Sequence, residues 1–219
     1  MIIPKNSKEI FEKQKYVLVK DFLPLDMRNL AYRYGSMKSD TKHSDGVWND
    51  AQTPGSYSSY GDTLMECILE MSWPYVEKIT GIKLWPTYSY FRTYKNGDVL
   101  ANHKDRPSCE ISYTLNLGQE DSTPWPIYME DKKCELNPGD LVVYRGTELY
   151  HRRESNPGGR CVQLFCHYVD QAGPFGNICK YDGRPMLGMP HTSKDPRKLR
   201  DMKEAEQLVI NAKHNNKKT

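Results

Sequence analysis

Three residues set the chemistry open to this sequence. His103-Lys104-Asp105 lies in β-type sequence, where side chains two apart project from the same face, so the imidazole and the carboxylate can share one metal ion. A second imidazole, His151, follows 48 positions later, after LVVYR and a Gly-Thr-Glu turn. Two imidazoles and a carboxylate on one face of an octahedral ion leave three positions open, which suits non-haem Fe(II) binding a chelating acid together with O2. Past His151, Arg160 opens the strand-like CVQLFCHYV. A guanidinium at that point can grip the far carboxylate of a dicarboxylate whose near end chelates the metal. An HxD triplet has little specificity alone. His43-Ser44-Asp45 is a second copy, set aside because it lies in polar loop sequence and its next imidazole, His103, is not followed by a basic residue opening a strand.

The elements that must position these groups are mostly strands. From Lys83 to Val169 the chain carries short β-branched and aromatic runs (LWPTYSYFRTY, EISYTLNLG, IYME, LVVYR, CVQLFCHYV) broken by Asn-Gly, Pro-Gly and Gly-Gly. Ahead of them, Asn6 and Glu9 are spaced to cap a short helix, and Tyr16–Val19 reads as a strand. Leu25 to Tyr34 reads as a helix closed by Gly35, and Asp62 to Thr80 as another, ended by Gly81 and kinked or restarted at Pro74. Asp195-Pro196 opens a last helix with Leu199, Met202, Ala205 and Val209 on one face. Residues 36–60 lack periodicity yet hold Trp48 and Tyr57. Such a loop is expected to be a lid over the site with those two rings touching substrate, or else to pack them onto the barrel wall.

The order of the parts carries a resemblance. Tyr94-Lys95-Asn96-Gly97 precedes His103-x-Asp105, then EISYTLNLG, LNPGDLVVYRG, His151 and Arg160 follow across roughly residues 85–170. In this order the sequence resembles the Fe(II)/2-oxoglutarate-dependent oxygenases, most closely the prolyl-4-hydroxylase-like branch. The resemblance implies a mainly β fold, a double-stranded β-helix (jelly roll) with flanking N-terminal helices and a C-terminal helix. It implies iron bound by His103, Asp105 and His151, and 2-oxoglutarate held by Arg160 with Tyr94, with Thr114 (and Ser112) near the cosubstrate. It also implies O2 as the oxidant, ascorbate supporting turnover, and hydroxylation of an unactivated C–H. The chain is then one oxygenase domain over residues 1–219: 1–84 a helical buttress with the lid, 85–170 the jelly-roll core, 171–219 a C-terminal extension. Two departures bear on substrate: collagen-type enzymes usually carry Lys where this chain has Arg160, and the second Arg of AlkB-type demethylases is absent from VQLFCHYVD. A prolyl or other peptidyl target, a free amino acid, a small metabolite and a modified base all remain open. The rival from another class is a metal-free jelly roll that binds or supports, with Arg160 in a surface ion pair and Tyr88, Tyr90 and Tyr94 as a stacked sheet face. Strand parity from Arg160 puts Val162, Leu164 and Cys166 on its face and His167 on the other, which leaves His167 out of the expected site.

Composition narrows the remainder. The 219 residues carry 31 basic and 28 acidic side chains, a net charge of +3 too balanced to mark a polyanion binder, so nucleic acid is disfavoured as a partner. No apolar run approaches the length of a membrane span, and Pro4, Lys5 and Glu9 interrupt any export signal. Six cysteines without a CxxC pair fit neither a zinc knuckle nor a disulfide lattice, and a cytoplasmic location is expected.

Overall fold

The computed structural model describes residues 1–43, 45–48 and 50–189. The helix expected from Asp195 lies outside the described residues. Helix α1 (Ser7–Gln14) leads into β1 (Tyr16–Val19), followed by α2 (Leu25–Asp40), β2 (Tyr57–Tyr60) and α3 (Thr63–Thr80). Strands β3 (Leu84–Tyr94), β4 (Leu100–His103), β5 (Ile111–Gln119), β6 (Ile127–Met129), β7 (Lys132–Cys134), β8 (Leu141–Arg145), β9 (His151–Arg153) and β10 (Cys161–Asp170) follow, then α4 (Gly176–Cys179). They form an antiparallel six-stranded sheet, β1-β8-β5-β10-β3-β2, facing a four-stranded sheet, β4-β9-β6-β7. This is the expected jelly roll. No helix of the described residues is long and apolar enough to cross a membrane.

The large sheet has two unlike faces. Leu115, Val162, Leu164 and Phe91 pack with Phe11, Ala31, Met65, Leu69 and Val76 of the helices in one apolar cluster. The alternate residues turn toward the small sheet, so Tyr88, Tyr90, Phe165 and His167 line the space between the sheets. The 1–84 segment is more than a helical buttress, because β1 and β2 extend this sheet on both edges.

Two local expectations need correction. Helix α2 does not stop at Gly35 but runs to Asp40. A Cβ at Gly35 would lie 2.8 Å from Val162 Cγ1 and 3.4 Å from the Phe91 ring, so this glycine serves close helix-to-sheet approach, not a left-handed cap. Gly81, at φ 77°, does cap α3, and Asp62 caps its start by accepting from the Leu64 and Met65 amides at 3.1 and 3.3 Å. Helix α3 runs unbroken through Pro74.

Since nothing at that contact can move aside cheaply, Gly35→Val should cost about 1–3 kcal/mol by overpacking. The check is thermal denaturation, with Tm falling by several degrees.

Candidate active site

Strand β4 ends on His103, which is paired in register with His151 at the start of β9; the two rings lie 4.2 Å apart. Two residues on, Asp105 is fixed by its amide, which donates to the Gly146 carbonyl at 2.9 Å, and by Ser112 Oγ, which donates to Oδ2 at 3.2 Å. Its Oδ1 is 3.6 Å from His103 Nε2 and 3.4 Å from His151 Nε2. The potential ligand atoms of the three residues lie within 4.8 Å of one another. Behind them, His103 Nδ1 faces the Ala101 carbonyl at 2.8 Å and His151 Nδ1 the Leu149 carbonyl at 3.2 Å. A proton placed on each Nδ1 leaves both Nε2 lone pairs aimed at the shared point, as metal-binding histidines require. Gly146 makes room: a Cβ there would lie 2.4 Å from Asp105 Oδ2. An N2O donor set of this kind, opening on a cavity, fits non-haem Fe(II).

Burial opposes ionisation of Asp105, but the close approach of His103 and His151 outweighs it and holds the carboxyl well below the usual range. Burial lowers and the Asp105 and Ala101 contacts raise the His103 pKa, with a net rise. Among the described residues the other grouping of three possible ligands shares Asp105 and adds Cys109 and His167. His167 is buried against Tyr88 and bonded through Nδ1 to Ser112 Oγ at 2.8 Å, and burial pushes its pKa down to about 4.

The three residues border a half-open cavity of ≈ 480 Å³ whose opposite wall is Tyr88, Tyr90, Arg92, Phe165 and His167. The strand parity assumed for β10 is the observed one, but the faces are exchanged. Val162, Leu164 and Cys166 meet the helices, and His167 meets the cavity. Arg160 accordingly lies outside. Its guanidinium donates to Asp40 of α2 at 2.7 and 3.0 Å, the surface ion pair weighed as its alternative.

A different guanidinium occupies the interior. Arg153 follows His151 by two on the same inward face of β9 and is 1% exposed. Its Nη1 donates to the Trp125 carbonyl at 2.6 Å and its Nη2 to Gln163 Oε1 at 3.1 Å, while Nε has no partner. None of these partners is charged, and burial alone lowers its pKa. Tyr94 and Thr114 belong to the same region: Tyr94 packs edge-on against Trp125, and Thr114 Oγ1 donates to Gln163 Oε1 at 3.5 Å. Parity could have found Arg153, since in His151-Arg152-Arg153 an inward His151 dictates an inward Arg153.

Trp48 and Tyr57 are not in the cavity. Tyr57 is fully buried in the helix-side core between Phe91 and Trp48, which packs on it edge-on. The rings fasten the loop to the outside of the barrel, because β2 pairs with β3 and turns Tyr57 to the helix face. Among the described residues of this stretch, Asp50, Gln52 and Tyr60 reach the cavity. His43 and Asp45 form a surface pair, with Asp45 also bound to Lys38 and Tyr57.

No family model matches the chain, and no curated protein sequence matches it. Solved structures do. The α-ketoglutarate-dependent epimerase SnoN from nogalamycin biosynthesis aligns with TM-score 0.65 at 14% identity, over 87% of this chain and 95% of that one. EctD from S. alaskensis aligns at 0.64 and 11% identity over 87% and 88%. A Pseudomonas putida prolyl-4-hydroxylase aligns at 0.58 and 16% identity over 75% and 97%. The chain shares their fold.

His167 is neutral when folded near pH 7, and its pKa of about 4 is depressed from ~6.5 in the unfolded chain. The unfolded state binds the extra proton between those values, so stability is full above pH ~6.5 and falls by about 3 kcal/mol as pH drops to 4. Urea denaturation across that range should show the slope, and His167→Gln should flatten it.

Proposed function

We propose that this chain is an Fe(II)- and 2-oxoglutarate-dependent oxygenase hydroxylating an unactivated C–H bond. The observation that carries the reading is the convergence of His103 Nε2, Asp105 Oδ1 and His151 Nε2 on one point at the edge of an aromatic cavity. The shared fold supports it, as do its neighbours, among them the α-ketoglutarate-dependent epimerase SnoN and HygX with nickel and 2-oxoglutarate bound. His103, Asp105 and His151 would hold the iron, which supplies O2 activation coupled to oxidative decarboxylation of 2-oxoglutarate.

The chain's own residues have separable tasks. Asp105, kept ionised, supplies the one anionic ligand, and Ser112 and the Gly146 carbonyl keep it oriented. Arg153 is the residue we assign to the distal carboxylate of 2-oxoglutarate, in place of Arg160. A buried guanidinium with only neutral partners calls for an anion, and this one sits two residues along the strand from a metal ligand. Tyr94 and Thr114 flank that position. Tyr88, Tyr90 and Phe165 exclude water from the reacting face.

Of the substrates the sequence leaves open, the geometry favours a small molecule. Asp50 and Gln52 roof the cavity from one side. A strap after β10, residues 171–189, lies on the other, where Arg106 donates to Asp182 at 3.0 and 3.1 Å and Tyr60 OH also donates to Asp182. SnoN and SnoK, both from nogalamycin biosynthesis, also cover more of this chain, 87%, than the prolyl hydroxylases do, 73–75%. All six cysteines are unpaired, which supports a reducing compartment such as the cytoplasm.

The reading is tested by iron-dependent succinate formation from 2-oxoglutarate. His103→Ala and Asp105→Ala should abolish iron binding, read by metal analysis, with the fold intact by circular dichroism. Arg153→Leu should raise the 2-oxoglutarate requirement at least tenfold, whereas Arg160→Ala should leave it within twofold. The reverse ranking would return the anchor to Arg160.

A further inference from the structure

Resting on the oxygenase reading, we infer that Arg92 recognises the substrate and that the substrate is a small carboxylic acid with a flat, ring-bearing body, the chain's own Asp50 carboxylate holding the position that the substrate carboxylate takes. Arg92 lies on the cavity wall, 3% exposed. Its Nη1 donates to Tyr94 OH at 3.0 Å and its Nη2 to Asp50 Oδ2 and to Gln52 Oε1 at 3.2 Å, leaving Nε buried without a partner. Tyr90 OH donates to the same Asp50 oxygen at 2.6 Å. A guanidinium and a phenol thus already bind a carboxylate inside the cavity that holds the metal ligands.

The origin of that carboxylate makes it exchangeable. Asp50 belongs to the connection between α2 and β2, which is held elsewhere by Lys38 bonded to Asp45, by the Val47–Ser58 bridge and by Lys95 Nζ on the Gly55 carbonyl. None of those ties involves Asp50 or Gln52, so only these two side chains need leave the cavity. The other cavity cations differ. Arg106 is bound to Asp182, itself 3% exposed within the strap, and Lys104 is exposed over the Tyr150 ring. Beside Arg92 the wall is aromatic: Tyr60 stacks on Tyr88 at 4.7 Å and 23°, and Tyr90 lies 6.4 Å from Phe165. Such surfaces favour a planar or cyclic body next to the anchored carboxylate.

An internal competitor lowers apparent affinity by the fraction of time it holds the site. Asp50→Asn should therefore tighten carboxylate binding, and ligand should free the loop instead of ordering it. The experiment uses the full chain loaded with Zn(II) and saturating 2-oxoglutarate, titrated calorimetrically with benzoate, phenylacetate and L-phenylalanine and with their primary amides. At least one acid should bind where its amide does not, at least threefold tighter to Asp50→Asn and at least tenfold weaker to Arg92→Gln, with Arg92→Lys between. Hydrogen exchange over residues 45–56 should quicken on binding. Acids and amides binding alike, no acid binding even to Asp50→Asn, an indifferent Arg92→Gln or slowed exchange would each overturn the inference. A raised 2-oxoglutarate requirement in Arg92→Gln, read from substrate-free 2-oxoglutarate decay, would also overturn it by giving Arg92 to the cosubstrate. That result leaves the oxygenase reading standing, which fails only if the wild-type iron protein does not consume 2-oxoglutarate.

Discussion

The antiparallel register of β4 against β9 is the constraint on which the rest depends. It sets His103 directly opposite His151, so two imidazoles far apart in sequence present Nε2 atoms to one point. A slip of one residue would turn one ring to the other face of the sheet and dissolve the donor set. The same alternation carries Arg153 inward two residues later. Candidate metal ligand and buried guanidinium are thus spaced by the strand repeat itself, the spacing on which the proposed assignment of the two ends of 2-oxoglutarate rests.

The interior between the sheets is correspondingly polar and costly. Arg92 and Arg153 are nearly inaccessible, and each leaves Nε unpaired. Buried guanidinium groups contribute little to stability and lose much when a partner is missing, which is why both carry the ligand-binding roles proposed above. The opposite face of the large sheet supplies the stability instead, through the apolar contact with α1, α2 and α3. One sheet therefore separates the work: helix-side residues hold the fold and cavity-side residues face the chemistry.

Both coverings of the cavity are fastened by buried ion pairs. Lys38 meets Asp62 at 2.6 Å and also Asp45, anchoring the root of the loop that carries Asp50. Arg184 meets Glu66 at 2.5 Å and the Thr87 carbonyl at 2.9 Å, anchoring the strap that carries Asp182. Burying such pairs has a desolvation cost, and what they secure is a defined placement for two otherwise irregular segments. The two coverings differ in what they insert: the strap offers a packed carboxylate to Arg106, the loop a partly exposed one to Arg92.

By itself the sequence showed an all-β region, through turn-punctuated runs, with the jelly roll implied by the family resemblance, and it singled out His103, Asp105 and His151 as candidates, because a period of two and a turn before the second histidine are local properties. Tyr94 and Thr114, expected beside the cosubstrate from the family pattern and from a strand beyond the HxD, lie near Arg153. Only the tertiary structure decided which face of β10 meets the helices, and that choice moved Arg160 to an ion pair with Asp40 and His167 into the cavity. It likewise set Trp48 and Tyr57 on the barrel's outer wall, extended α2 past Gly35 and brought Asp50 onto Arg92. The physical reason is common to all of these. Alternation fixes which residues share a face, but which face is inside depends on what packs against it, and those partners come from distant parts of the chain.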